Sequence, residues 1–159
     1  MSCIEKIITS EIFEQYREQG IFASKKVIFT NGCFDILHSG HVLYLEEARS
    51  LGDFLVIGLN SDLSVKRLKG KGRPINTEQE RAIVLSGLSF VDYIIFFEED
   101  TPFELIKSIR PDVLVKGGDW AIEKIVGHDI VTQSGGEVRS LLFKEGKSST
   151  AIIERINNL

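Results

Sequence analysis

Cysteine is scarce in this chain of 159 residues, and the features of several large protein classes are missing with it. The two cysteines, Cys3 and Cys33, are too few for a disulfide framework and lack metal-ligand spacing, which predicts free thiols in a reducing compartment. No run approaches the ~20 apolar residues of a membrane span. Glu5 and Lys6 stand where a signal peptide would need its apolar run. We therefore expect a cytoplasmic protein that does not associate with membranes.

An excess of basic residues is also lacking. Nineteen Lys and Arg against 23 Asp and Glu give a formal net charge of -4, so we expect no nucleic-acid partner. Low-complexity tracts and fixed-period repeats are absent. What is present is 43% hydrophobic and 26% charged residues, which is typical of one globular domain. We divide the chain into an N-terminal helical extension, 1–24, and a main domain, 25–159.

Short β-branched runs alternate with helix-like segments along the chain. Most of these runs are apolar on both faces, as buried parallel strands are. The alternation predicts an α/β fold with a doubly wound, five-stranded parallel sheet, preceded by an extra amphipathic helix over Ile4–Gln19. The predicted strands are Lys26–Thr30, Phe54–Asn60, Tyr93–Phe97, Val113–Lys116 and Glu137–Phe143. The predicted helices are His41–Leu51, Thr77–Leu88, Pro102–Ile109, Ile122–Thr132 and Ser149–Asn157. Thr77 with Glu80 predicts a capping box, and Thr101 an N-cap.

The residues after the first predicted strand are unusual, and ligands of such sheets bind where strands end. His38 and His41 are three residues apart, so near a helix start both imidazoles project from one face, beside amides that favour an anion. Gly32 and Gly40 allow a close approach of the backbone. The pattern predicts a phosphate site. Two unrelated histidines, or half of a metal site, are the alternatives, but no third His or Cys has ligand spacing.

A basic stretch broken by glycines, Lys66–Pro74, follows the second predicted strand. Such a stretch is usually a solvated, mobile loop. At the carboxyl end of a strand it can also close over a triphosphate, and Lys69 is then the favoured contact. Arg81 lies in the following helix, where an arginine is more often at the surface than bound to a ligand.

The segment Gly146–Thr150 resembles part of a P-loop, but the full motif needs a glycine where Leu141 stands. What remains is a helix N-terminus whose hydroxyl groups, on Ser148 or Ser149, either cap the helix or bind phosphate. The segment Gly117–Trp120 is equally consistent with a plain turn and with a loop whose exposed amides contact a ligand.

The sequence GCFDILHSGH at 32–41, with GKSST at 146–150, resembles the cytidylyltransferase-like nucleotidyltransferases. The resemblance extends over roughly residues 25–156. Within that superfamily, the segments FTNGCFDILHSGHVLYLEEARSLGD, NSDLSVKRLKGKGRPIN, FEEDTP and PDVLVKGGDW most resemble the heptose 1-phosphate adenylyltransferases, here without a kinase half. The resemblance implies a Rossmann-like nucleotidyltransferase domain over 25–159 and a homodimer. It also implies in-line transfer from ATP to a sugar 1-phosphate, with Mg²⁺ held mainly by the triphosphate.

The resemblance also implies roles for residues at matching positions. His38, His41 and Lys69 would be catalytic, and no residue is assigned to a metal. Asp35, Lys69 and Lys116 would contact the acceptor substrate. The positions assigned to the nucleotide are Cys33, Phe34, His38, Gly40, His41, Arg81, Gly118, Asp119, Gly146, Ser148, Ser149 and Thr150.

Two departures bear on the choice of substrate. Glycerol phosphate members carry an arginine where Ser89 stands, and Arg-Thr where this chain has Phe143 and Lys144. Both differences weigh against a CTP-dependent enzyme acting on an alditol phosphate such as glycerol 3-phosphate, which is the alternative activity. A non-catalytic nucleotide-binding domain is the alternative of another class.

Overall fold

The structure, a computed structural model, describes residues 2–142 and 148–159. Its centre is a five-stranded, all-parallel sheet in the order β3-β2-β1-β4-β5. The strands are β1 Val27–Gly32, β2 Phe54–Asn60, β3 Tyr93–Phe97, β4 Val113–Gly117 and β5 Glu137–Leu141. The predicted doubly wound α/β fold is therefore confirmed.

Helices cover both faces of the sheet. In the described part of the chain they are α1 Ser10–Glu18, α2 Ser39–Arg49, α3 Asp62–Lys69, α4 Glu78–Ser86, α5 Phe103–Ile109, α6 His128–Gln133 and α7 Ser149–Asn157. Short 3-10 turns lie at Ile4–Lys6 and Ile122–Lys124. No helix in the described ranges is long and apolar enough to cross a membrane.

Successive side chains of a strand point to opposite faces, and each face carries its own buried core. Phe29 of β1 and Leu114 of β4 pack on one face with residues of α1, α5 and α6. Their neighbours Ile28 and Val113 pack on the other face with residues of α2 and α4. The polar loops are thus left at the edge where the strands end.

The predicted helix over Ile4–Gln19 is interrupted. Ile7 forms a parallel bridge with Ile94, and the amide of Ile8 donates to the carbonyl of Ile94 at 3.0 Å, so the chain is extended between the 3-10 turn and α1. Phe13 of α1 is fully buried and stacks on Phe22 at 4.6 Å between ring centroids. The segment before β1 therefore contributes to the core on one face of the sheet.

The basic stretch is partly helical, which corrects the expectation of a loop. Ser61 caps α3 by accepting a hydrogen bond from the amide of Ser64, and Val65 is buried, so the helix is fixed at its start and on one side. Gly70, with φ of 90°, ends it. The loop begins only there.

The predicted helix Ile122–Thr132 is also wrong. Ile125 is extended and Gly127 has φ of 87°, so the segment divides into a 3-10 turn and α6. At α5 the N-cap is Pro102 rather than Thr101. The capping box of α4 is confirmed in both directions: the amide of Glu80 donates to the Thr77 hydroxyl, and the amide of Thr77 donates to the Glu80 carboxylate.

Candidate active site

The site lies where the direction of strand order reverses, between β1 and β4. The helix that follows β1, α2, packs on one face of the sheet, and α6, which follows β4, packs on the other. A crevice therefore opens at the carboxyl ends of these two strands. Asn31 of β1 and Lys116 of β4 both line a cavity there.

The two histidines come together at the beginning of α2, as their spacing predicts. His38 is the N-cap residue, and its ring stacks on that of His41 with 3.8 Å between centroids and 21° between planes. Phe34 packs its ring edge against His41 at 5.2 Å. Gly40, which lies between the two histidines in the sequence, is buried. The loop and the helix thus present two imidazoles as one unit.

The electrostatics of this helix start suit an anion. Burial, and to a lesser extent the neighbouring His38, lower the pKa of His41 from 6.5 to about 4. Nδ1 of His41 is buried and has no hydrogen-bond partner among the described residues. Within that part of the chain, α2 also begins with neither a side-chain cap nor an acidic residue in its first turn. Its positive end is therefore open to a phosphate group.

Cys33, Lys69 and Lys116 share one electrostatic environment. Burial raises the pKa of the Cys33 thiol, and the Lys69 ammonium opposes that shift. Burial lowers the pKa of Lys116; the Cys33 thiol opposes this shift and Lys69 adds to it. The ends of β1, α3 and β4 therefore bring a thiol and two ammonium groups within electrostatic range of one another.

Asp35 is buried, and its observed contacts are with the chain itself. Its carboxylate accepts hydrogen bonds from Nε of Arg73 at 2.6 Å, from the amide of Ile75 at 2.8 Å and from the amide of Asn76 at 3.0 Å. Burial alone would raise the pKa of Asp35, but these donors outweigh it and hold the pKa below its ordinary value. Asp35 thus holds the loop after α3, and its contact with the acceptor stays a prediction.

Arg81 is buried rather than at the surface, where such a helix position more often lies. Its guanidinium donates to the carbonyl of Cys33 at 2.6 Å, to Oδ1 of Asp62 at 2.8 Å and to the carbonyl of Asn76 at 3.1 Å. It joins α4 to the loop after β1 and to the start of α3. Neither Asp62 nor Asn76 is predicted from the sequence: Asp62 follows another strand, and Asn76, although only five residues before Arg81, belongs to no recognisable motif.

The loop after β4 adds backbone and an aromatic ring to the same edge. Gly118 has φ of 114°, and a Cβ there would lie 2.8 Å from Nε1 of Trp120, so a side chain is excluded on both grounds. The Trp120 indole donates to the carbonyl of Gly117 at 3.0 Å. Asp119 is exposed. Its predicted contact with the nucleotide stays a prediction.

The beginning of α7 reaches the histidine loop. The hydroxyl of Ser149 donates to the carbonyl of Ile36 at 3.1 Å, which joins the end of the chain to the β1–α2 loop. Ser148 caps α7 by accepting from the amide of Ala151 at 3.0 Å, and Thr150 is exposed. Gly146, assigned to the nucleotide above, lies outside the described residues. The start of α7 therefore lies against the loop that carries the histidines.

Comparisons with known sequences show which family the chain belongs to. The family model described as cytidylyltransferase-like matches residues 29–155. The bifunctional protein HldE of Campylobacter concisus is 64% identical over 134 residues, which are 84% of this chain and 28% of that protein. HldE of Wolinella succinogenes is 51% identical over 152 residues, 96% of this chain and 31% of that protein. The chain thus spans about a third or less of the length of these curated relatives.

Solved structures include one relative of this chain and further proteins that share its fold. The lipopolysaccharide core biosynthesis protein of Thermoplasma volcanium is 30% identical, with a TM-score of 0.61, covering 77% of this chain and 99% of that one. The pantoate-beta-alanine ligase of Francisella tularensis shares the fold at 14% identity, with a TM-score of 0.59, covering 96% of this chain and 72% of that one. On the family model and these relatives together, the chain belongs to the cytidylyltransferase-like family of nucleotidyltransferases.

Proposed function

We propose that this chain transfers the adenylyl group of ATP to D-glycero-β-D-manno-heptose 1-phosphate, giving ADP-heptose and pyrophosphate. The observation that carries the proposal is the stacked histidine pair at the open start of α2, on the same sheet edge as Lys69 and Lys116. The choice of ATP and a heptose is supported by the segments that resemble heptose 1-phosphate adenylyltransferases and by the identity with HldE proteins.

The reaction needs charge stabilisation rather than a covalent intermediate. A phosphate oxygen of the sugar 1-phosphate attacks the α-phosphorus in line, and the bond from that phosphorus to the bridging oxygen breaks as pyrophosphate leaves. The acceptor oxygen is already anionic, so no general base has to remove a proton. His38, His41 and the first amides of α2 donate hydrogen bonds to the phosphate oxygens. One such preorganised donor contributes about 10²–10³ in rate.

Lys69 and Lys116 bring the two anionic substrates together in this scheme. Lys69 is exposed at the end of α3 and is free to move onto the phosphates, whereas Lys116 is held at the end of β4. Because burial disfavours the charged form of Lys116, a bound phosphate restores favourable surroundings to that ammonium. The free energy gained by pairing these charges offsets the repulsion between the acceptor phosphate and the triphosphate.

We further propose that Mg²⁺ enters with the triphosphate. In residues 2–142 and 148–159, no group of three or more His, Cys, Asp or Glu side chains is placed to hold a metal ion. The donors of the site are imidazoles, ammonium groups and amides, which fit the phosphate oxygens that would carry the ion. Mg²⁺ bound in this way neutralises part of the triphosphate charge.

We also propose a cytoplasmic homodimer. Apolar side chains are exposed on neighbouring helices: Ile83 and Val84 of α4 are 49% and 54% exposed, and Leu63 of α3 is 57% exposed. A contiguous apolar surface is typical of subunit interfaces, and we propose that these side chains form part of one. Light scattering coupled to size-exclusion chromatography is expected to give twice the chain mass, and Val84→Glu is expected to reduce it to that of one chain.

The activity is tested by pyrophosphate release from a panel of substrates. ATP and CTP are each combined with heptose 1-phosphate and with glycerol 3-phosphate. We expect release only from ATP with heptose 1-phosphate. Release from CTP with glycerol 3-phosphate would establish the alternative enzyme. Tight binding of ATP with no release in any mixture would overturn catalysis and leave a nucleotide-binding domain.

A further inference from the structure

Trp120, the single tryptophan of the chain, is 48% exposed and yet held in place from two sides. Its indole N–H donates to the carbonyl of Gly117, and its amide donates to the hydroxyl of Ser140 at 3.1 Å. The close approach of the ring to Gly118 leaves no room for a Cβ at that position. A large aromatic ring that is both exposed and fixed offers binding surface at little cost in conformational entropy.

The ring borders a cavity of about 160 Å³ at the end of β1 and β4. Asn31 and Lys116 line it because they follow Phe29 and Leu114 by two residues, and alternate residues of a strand point to the same face. The cavity therefore opens on the α5–α6 side of the sheet. The histidines lie on the α2 side, so the cavity and the proposed phosphate site flank the end of β1.

The lining combines an apolar wall with cations. Leu114 and Ile125 form part of the wall beside the indole, and Lys124, exposed next to Ile125, adds a second ammonium to that of Lys116. A sugar phosphate has the matching chemistry: C–H faces that pack on an aromatic ring, hydroxyl groups, and a phosphate that pairs with ammonium groups. A flexible alditol phosphate has no ring face to lay on the indole.

We propose that Trp120 and Lys124 form the sugar subsite of the acceptor, with Trp120 as the platform for the pyranose ring and Lys124 as a ligand of its phosphate or hydroxyl groups. The inference rests on the proposed adenylyl transfer to a sugar 1-phosphate and names the residues that select the sugar. Asn31 and Lys116 then direct the acceptor phosphate across the end of β1, toward the α-phosphate held at the histidines.

Fluorescence of the single tryptophan reports directly on this subsite. Heptose 1-phosphate added to the wild-type protein is expected to change the emission of Trp120 saturably, whereas inorganic phosphate and glycerol 3-phosphate at the same concentrations are not. Lys124→Ala retains the fluorophore and is expected to raise the apparent Kd about tenfold, the loss of one charged hydrogen bond. A saturable change produced by ATP alone, with none from heptose 1-phosphate, would assign the ring to the nucleotide and overturn the proposal.

Steady-state kinetics of pyrophosphate release separate the subsite from the reaction. Trp120→Ala is expected to raise KM for heptose 1-phosphate about tenfold through lost apolar contact, with KM for ATP unchanged, and Trp120→Phe to restore most of the difference. Lys107→Ala, an exposed lysine on α5, is the control for Lys124→Ala and is expected to change neither constant.

Two failures are distinguishable in this experiment. If the wild-type protein releases pyrophosphate from ATP and heptose 1-phosphate while the Trp120 and Lys124 variants keep its KM values, the subsite is wrong and the activity stands. If the wild-type protein releases none with heptose 1-phosphate, the proposed function has failed, and the fluorescence titration still decides whether Trp120 meets a sugar phosphate.

Discussion

The helices α2 and α4 begin at the same edge of the sheet, but their N-termini are finished in opposite ways. At α4, Thr77 and Glu80 form a capping box, and Arg81 in the next turn makes three hydrogen bonds to neighbouring segments. At α2, in the described part of the chain, no side chain caps the first turn, and the buried Nδ1 atom of the half-buried His41 has no hydrogen-bond partner. Native proteins pair nearly all such groups. The closed helix start therefore belongs to the scaffold, and we expect the open one to bind a ligand.

The largest effect is expected from the open helix start. His41→Asn and His38→Asn should each lower kcat for pyrophosphate release by about 10²–10³ because the shorter asparagine cannot place its amide donor where the imidazole N–H meets the phosphates. The free energy of unfolding, measured with urea, should change by less than about 1 kcal/mol. His128→Asn is the control, since the third histidine of the chain begins α6 and contacts the carbonyl of Ile125. Full activity of both His41→Asn and His38→Asn would contradict the proposed difference between the starts of α2 and α4.

At the closed helix start, substitutions should lower the free energy of unfolding. Arg81→Met leaves the carbonyls of Cys33 and Asn76 without their donor and Asp62 without its ion pair. Because the Asp62 side chain is 38% exposed and keeps some water, the expected loss is about 2–3 kcal/mol of unfolding free energy. Urea unfolding measures it. Arg81→Lys keeps the positive charge but cannot make all three hydrogen bonds. Its free energy of unfolding should lie between those of the wild-type protein and Arg81→Met. An unchanged urea midpoint in Arg81→Met would contradict the bracing role.

The sequence predicts the local features of both helix starts and misses their long-range contacts. The capping box and the histidine pair are local patterns, as are the strands Phe54–Asn60 and Tyr93–Phe97, whose predicted and observed bounds agree. Long-range features escape it. Two partners of Arg81, Cys33 and Asp62, lie on other segments, so the burial of Arg81 leaves no mark in the spacing of its own helix.

Two of the errors in helix assignment have the same origin. The basic composition of α3 favoured a loop, whereas Val65 anchors that helix by burial against the rest of the fold. In Ile122–Thr132 the apolar pattern favoured one helix, but Gly127 packs with φ of 87° against Ile106 and divides it. Tertiary packing decides both cases, and propensity is too weak to oppose it.

His41 and Asp35 should affect the free energy of unfolding in two different pH ranges. The pKa of His41 is held at about 4, below the ordinary 6.5, so as pH falls from about 6.5 the unfolded chain binds the proton first and stability declines until about pH 4. Allowing for the partial exposure of the ring, we expect a decline of about 1–2 kcal/mol. The lowered pKa of Asp35 acts later: its stabilisation is full above its ordinary value of 3.8 and is lost as pH falls through the folded value.

Urea unfolding at a series of pH values tests this order. His41→Asn should flatten the decline between pH 6.5 and 4 and leave the fall at lower pH in place. Asp35→Asn should be less stable at neutral pH and should lose most of the fall below pH 3.8. If His41→Asn keeps the wild-type slope in the upper window, the imidazole is not held neutral by its surroundings.

The smallest effect is expected from the capping box itself. Thr77→Ala removes the acceptor of the Glu80 amide, and loss of such a cap costs about 1 kcal/mol of unfolding free energy. Thr77→Ser keeps the acceptor and should cost little. Because the box faces protein and solvent rather than substrate, kcat and both KM values should stay at wild-type levels at temperatures where the variant is folded. A drop in kcat with unchanged stability would mean that α4, like α2, takes part in binding the phosphates, and the division between a closed and an open helix start would have to be abandoned.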